Sequence, residues 1–178
     1  MYTHAIAIAI LGTILAAGGA AAQQPAPAAA NPLDAIPDTM PFNVPYGPPI
    51  SAARAQAAIQ SAAAEATKRG WPVNIAVIDS GGNLVAFLRM DGAQLASIAI
   101  SQHKARFAAI YRRPSKTYED AIQLRDAKYL LTLDDAIASR GGIPLVEDGK
   151  MIGAIGCSGA TGSQDEVICN VGAATINK

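Results

Sequence analysis

Apolar and polar positions after residue 50 alternate between a helical and an extended period, and the order of those periods predicts the fold. "SAARAQAAIQSAAAEATKRG" (51–70) opens on Ser51 as an N-cap, is dominated by alanine, carries Lys68 and Arg69 in its last turn and stops at Gly70, which predicts a helix. "VNIAVIDSGGNLVAFLRMD" then supplies two β-rich runs around residues 80–83, whose glycines provide the positive φ of a tight hairpin. Both runs are nearly all apolar, so both faces of their sheet are expected to be covered. From 93 to 111 a second helix is predicted, with Leu95, Ile98, Ala99, Gln102 and Ala105 on one stripe and Ser97, Ser101, Lys104 and Ala108 on another; it ends at Arg113-Pro114.

Residues 115–139 read as one or two shorter helices, with Asp134 and Asp135 near a break, closing on Arg140-Gly141-Gly142. "IPLVEDGKMIGAIGC" is a second hairpin around Asp148 and Gly149, a pair that tolerates a primed turn, and a last helix is expected from about Gln164 to the C-terminus. The order αββααββα, hairpins separated by helices, predicts an α+β domain: an antiparallel sheet of two hairpins with helices packed on it.

The first 49 residues follow neither period. "AIAIAILGTILAAGGAAAQQ" is a charge-free apolar run ending in small residues, and Ala20, Ala21 and Ala22 before Gln23 fit a cleavage site, so residues 1–22 read as a signal peptide and the mature protein as periplasmic or secreted. Alanine and glycine make that run only weakly hydrophobic, which argues against a stable membrane span. Residues 23–49 are rich in proline and alanine; recurring prolines remove backbone donors and stop a helix or strand from propagating. They read as a disordered linker or, since Met40, Phe42, Val44 and Tyr46 alternate, as an arm lying on a neighbouring subunit. Residues 50–178 form one domain.

Charge changes the picture little: 14 Lys and Arg balance 14 Asp and Glu, and a net charge of zero leaves no electrostatic footprint for nucleic acid. One local bias remains, in Lys104, Arg106, Arg112, Arg113 and Lys116, which reads as a solvated helix end or an anion-facing patch.

Candidate chemistry concentrates in "GAIGCSGATGSQDEVICNVG" (153–172). A P-loop would place a lysine and a hydroxyl after the last glycine; here Ser-Gln-Asp-Glu follows, and Asp165 and Glu166 would repel a phosphate from the helix start. Ser163 and Glu166 have capping-box spacing. Cys157 and Cys169 fit neither zinc nor thioredoxin-like spacing; two buried apolar thiols are favoured over a disulfide, which export would nonetheless permit. Once residues 1–22 are removed His103 is the one imidazole left, so a histidine-rich metal site is excluded, and no G-x-S-x-G elbow accompanies it.

"NIAVIDSGGNLVAFLRMDGA", "SIAISQHKARFAAIYRRPS" and "GGIPLVEDGKMIGAIGCSGATGSQDEVICNVGA" together resemble the GlcG/HbpS family of haem-binding (haem-degrading domain) proteins, related to the C-terminal domain of PduO-type proteins. The resemblance covers residues 50 to 177. It implies a compact α+β domain that assembles into homo-oligomers, often octamers, and binds haem or a related tetrapyrrole in haem sensing or iron handling. Lys104, the 153–159 glycine strand and the acids Asp165 and Glu166 match the family pattern. On that expectation Lys104, Arg106, Arg112 and Arg113 are candidates for the haem propionates, and His103 or Tyr111 lies near the iron, His103 as its possible ligand. Two other readings stand beside it: a small-molecule lyase, isomerase or hydrolase using Lys104, Asp165 and Glu166 in one cleft, and a non-catalytic accessory subunit whose proline-rich arm engages a partner.

Overall fold

A computed structural model of the chain describes residues 34–40 and 42–177; the expected signal peptide lies outside the described residues. Eight elements appear in the predicted order: α1 (Ala52–Arg69), β1 (Asn74–Asp79), β2 (Leu84–Arg89), α2 (Ser97–Ile110), α3 (Lys116–Arg125), β3 (Gly142–Glu147), β4 (Lys150–Ser158) and α4 (Gly162–Ala173). A short 3-10 turn, Lys128–Thr132, occupies the place of a further helix after α3. The strands form one antiparallel sheet in the order β2-β1-β4-β3, so the two hairpins join through β1 and β4.

Local chemistry accounts for the boundaries. Ser51 accepts from the Arg54 amide, and Gly70 closes α1 in the left-handed region. In the first hairpin the Asp79 carboxylate accepts from the amides of Gly81 (2.8 Å) and Asn83 (2.9 Å), fixing the turn. The second turns through Asp148 (φ 48°) and Gly149 (φ 71°), the positive angles a primed turn requires. The last helix begins earlier than expected: Thr161, not Ser163, is its cap, its hydroxyl accepting from the Gln164 amide while the Gln164 side chain accepts from the Thr161 amide at 3.0 Å. The second helix begins later than predicted, because residues 93–94 are irregular and 95–96 form a turn before Ser97.

The sheet is covered differently on its two faces. On one, α1 and α4 bury Ile75, Val77, Leu145, Ile155 and Ile168. On the other, α2 lies almost directly on the strands, through Ala105, Ala108 and Ala109 against Ala76 and Ala154. The cross-strand partners Gly142 and Gly156 permit this approach: a Cβ at Gly142 would stand 2.2 Å from the Lys104 carbonyl oxygen, and one at Gly156 would stand 2.1 Å from that of Ser101. Coverage is complete over β1 but not over the edge strand β2, whose residues are half-buried or exposed.

One expectation is corrected. Cys157 and Cys169 are joined in a disulfide, with Cα atoms 5.6 Å apart, and do not remain as two thiols; the short connection from β4 folds the second turn of α4 back over the strand end. Residues 42–50 run along the domain: Tyr46 makes a parallel bridge to Met151, and Ile50 is buried in the main core.

Candidate functional site

The stripe of α2 that carries Ser97, Ser101 and Lys104 faces inward, whereas Leu95, from the more apolar stripe, is 70% exposed. Alanine and glycine leave too little side chain above the strands for a second aliphatic layer, so the small polar residues and one lysine fill that space. Ser97 accepts from Gln94 Nε2 at 2.6 Å and from the Ser158 hydroxyl at 3.1 Å, and the Asn74 amide donates to the Gln94 carbonyl at 3.1 Å. Asn74 Oδ1 is buried with no partner among the described residues.

Further along, Lys104 Nζ donates to Asp165 Oδ2 at 2.8 Å, and Asp165 Oδ1 accepts from the Ala160 amide at 3.0 Å. Both side chains are sealed, at 2% and 3% exposure. Burial pushes the Asp165 carboxyl above its ordinary range, against the attraction of Lys104 and the hydrogen bonds it accepts. Lys104 starts beneath α2 and Asp165 hangs from α4 on the opposite face, so the pair joins the two helical layers past the start of β3, where the lysine nitrogen lies against Gly141.

The structure therefore brings Lys104 and Asp165 together but not Glu166. That acid turns outward to Arg140 Nη1 at 3.6 Å, and Arg140 also holds Glu119 at 2.5 Å and Asp120 at 3.8 Å. A small molecule cannot reach the sealed pair in this conformation, so the three residues do not line one cleft. Among the described residues no cluster of three His, Cys, Asp or Glu side chains is placed to hold a metal ion, and no helix is long and apolar enough to cross a membrane.

The remaining candidates lie along α2 and just beyond it. His103 is half-buried, and its Nε2 is buried without a hydrogen-bond partner among the described residues. Phe107 and Tyr111 follow at four-residue steps on the same stripe, their rings stacked 4.7 Å apart, with Tyr118 edge-on to Phe107. The Tyr111 hydroxyl donates to the Asp134 carbonyl at 2.5 Å, and burial, then the charges of Asp135 and Asp134, push this phenol up. Arg106 is held by the Gly82 carbonyl (2.9 Å) and Asp135 (3.1 Å). Arg112 donates to the Val44 carbonyl at 3.1 Å, and the Arg113 guanidinium lies 3.4 Å over the Phe42 ring.

Sequence reasoning passed over three features: the Arg140 cluster, the polar seam of Asn74 and Ser158, and a depression of about 300 Å³ between α1 and β2, lined by Gln56, Ile59, Gln60 and residues 85–88. Only the depression had a visible signal, two glutamines four residues apart on an alanine helix that precedes an apolar strand.

Comparison with known proteins places this geometry. The family described as "Haem degrading protein HbpS-like" matches residues 50–174. Protein GlcG of Escherichia coli (strain K12) is 41% identical over 109 residues, covering 61% of this chain and 81% of GlcG. Among solved structures, a double mutant of Streptomyces reticuli HbpS superposes with a TM-score of 0.68 at 27% identity, over 88% of this chain and 100% of that one. The PduOC:Heme complex superposes with a TM-score of 0.65 at 26% identity, over 72% and 96% of the two chains.

Proposed function

Because the chain belongs to the HbpS-like family, we propose that it is an exported homo-oligomer that binds haem or a related tetrapyrrole, in haem sensing or iron handling. The family match over residues 50–174 carries this reading, and the fold shared with a haem-bound relative supports it. His103 supports a site on α2: a buried imidazole nitrogen without a partner among the described residues is the donor an iron would take. The residues around it fit the group. Tyr111 supplies half-buried aromatic surface on the same stripe, backed by the buried Phe107, and Arg112 and Arg113 supply planar donors suited to carboxylates. Lys104 leaves the propionate set, since Asp165 neutralises it in the interior. When bound, haem would contribute a ligand-binding and redox-active iron; this chain's residues hold it, shield it from water and neutralise its carboxylates.

Export draws support from two features, the apolar N-terminal run and the Cys157–Cys169 disulfide, a bond that persists in oxidising compartments. The oligomer, an octamer on this proposal, is checked by light scattering of the purified protein. The binding test is a hemin titration. A saturable Soret shift is expected, and His103→Ala should move the Soret position of the bound form. Unsaturable, albumin-like background uptake would sink the proposal.

A further inference from the structure

The cations assigned to the ligand carboxylates are already occupied by the chain's own N-terminal strap. Residues 42–50 divide into two halves. The inner half is tied down by backbone: the Met151 amide donates to the Pro45 carbonyl (2.8 Å), the Gly47 amide to Met151 (2.7 Å) and the Ile50 amide to Ile152 (2.9 Å). Ser80 adds a hydrogen bond to the Gly47 carbonyl at 3.1 Å. Among the described residues the outer half is held through side chains at the end of α2. Arg113 covers Phe42, Arg112 donates to the Val44 carbonyl and lies 5.5 Å over Tyr46, and the Tyr46 hydroxyl donates to the Ile110 carbonyl at 2.8 Å. Before it, Ile36 and Met40 are 92% and 69% exposed.

Arg112 sits at φ 54°, a left-handed conformation that costs a residue with a Cβ and turns its side chain towards the strap. What each guanidinium receives is modest and neutral: one carbonyl and the Tyr46 ring for Arg112, the Phe42 ring and the Tyr111 carbonyl (2.9 Å) for Arg113. A carboxylate offers either of them charge-assisted, bidentate hydrogen bonds, which are roughly twice as strong as neutral ones. Strap and carboxylate cannot hold the same donors together.

We propose that the strap around Phe42 and Val44 is an internal competitor for a carboxylate-bearing ligand at Arg112 and Arg113, released when that ligand binds. The inference rests on the haem reading for the identity of the ligand. Linkage then gives a reciprocal effect: whatever factor the strap subtracts from ligand affinity, the ligand subtracts from strap docking. A strap docked for about nine-tenths of the time lowers apparent affinity about tenfold.

The test compares hemin with hemin dimethyl ester, which has the ring and iron but no free carboxylate. Phe42→Ala should tighten hemin binding by about tenfold and leave the affinity for the ester unchanged. In the wild-type protein hemin should accelerate chymotrypsin cleavage after Phe42, and the ester should not. Saturable hemin binding of equal affinity in both proteins, with unchanged cleavage after Phe42, overturns the strap inference and leaves the haem reading standing. An equal gain for hemin and ester also overturns it, because the strap would then cover the ring site instead of the cations. Absence of saturable binding in wild type and variant removes both.

Discussion

Asp165 and Glu166 are neighbours in sequence and belong to two different molecular environments. A helix turns about 100° per residue, and that rotation sends Asp165 under the β4 end to a sealed lysine while Glu166 meets Arg140 at the surface. The sealed lysine meets one acid, closed off from solvent. The Arg140 cluster is wet and shared among three acids. The inward stripe of α4 carries Asp165, Ile168, Cys169, Gly172 and Ala173, so the ion pair and the disulfide are two ties along one line, polar at the helix start and covalent a turn later. The same acid–base pairing thus serves as an internal joint in one place and an adjustable surface contact in the other.

The largest test of this contrast removes one member of the sealed pair. Asp165→Asn strands a buried ammonium and should cost about 3–5 kcal/mol in a urea melt. Glu166→Gln, one residue on, should stay within about 0.5 kcal/mol. A double variant, Lys104→Met with Asp165→Leu, should recover most of the loss, since apolar replacement of a buried pair is often neutral or stabilising. Equal effects for the two acids would erase the distinction.

Next in size is the covalent tie. Reduction of Cys157–Cys169 should lower stability by about 2–4 kcal/mol, read as a drop in Tm with reductant under denaturing equilibration, and Cys157→Ser should reproduce it.

The smallest effect concerns the wet cluster and its pH dependence. Burial raises the Glu119 pKa, but hydrogen bonds from the Arg140 side chain and amide outweigh it and hold the carboxyl below its usual value. A lowered folded pKa means stability that is fully present above the unfolded value, about 4.3, and lost as pH falls through the folded one. The difference between wild-type and Glu119→Gln stability curves should show that loss, at about 1 kcal/mol, and shrink with added salt. Asp165 must slope the other way. Its folded pKa is raised, so its contribution declines as pH climbs from the unfolded value of about 3.9 towards the folded one.

Element order, both hairpins and the first cap were legible because each is written in local residues: Ser51 and Gly70, the glycines at 81 and 82, Asp148 with Gly149. The orientation of α2 was not. Periodicity groups Ser97, Ser101 and Lys104 on one stripe but cannot say which stripe is inside; that is decided by Gly142 and Gly156, far along the chain, which draw the helix backbone onto the sheet. Lys104 and Asp165 meet across 61 positions, and nothing local announces the contact. Cys157 and Cys169 were undecided for the same reason, since their Cα separation depends on how tightly residues 159–161 turn. The cations at 112 and 113 were found as part of a patch, yet their partners at 42 and 44 come from a proline-rich segment in which nothing local names the contact.

Gly142 and Gly156 also limit how this protein can change. With two carbonyls of α2 resting on bare backbone, the helix has one seat on the sheet: a slide of one turn would drive its side chains into the space that only hydrogen atoms now fit. His103, Phe107 and Arg106 therefore keep a constant spacing and bearing. Any adjustment to a guest of different size has to come from the strap and from the loop after Ile110, so variation in what such a domain accepts should accumulate in those two segments and spare the helix between them.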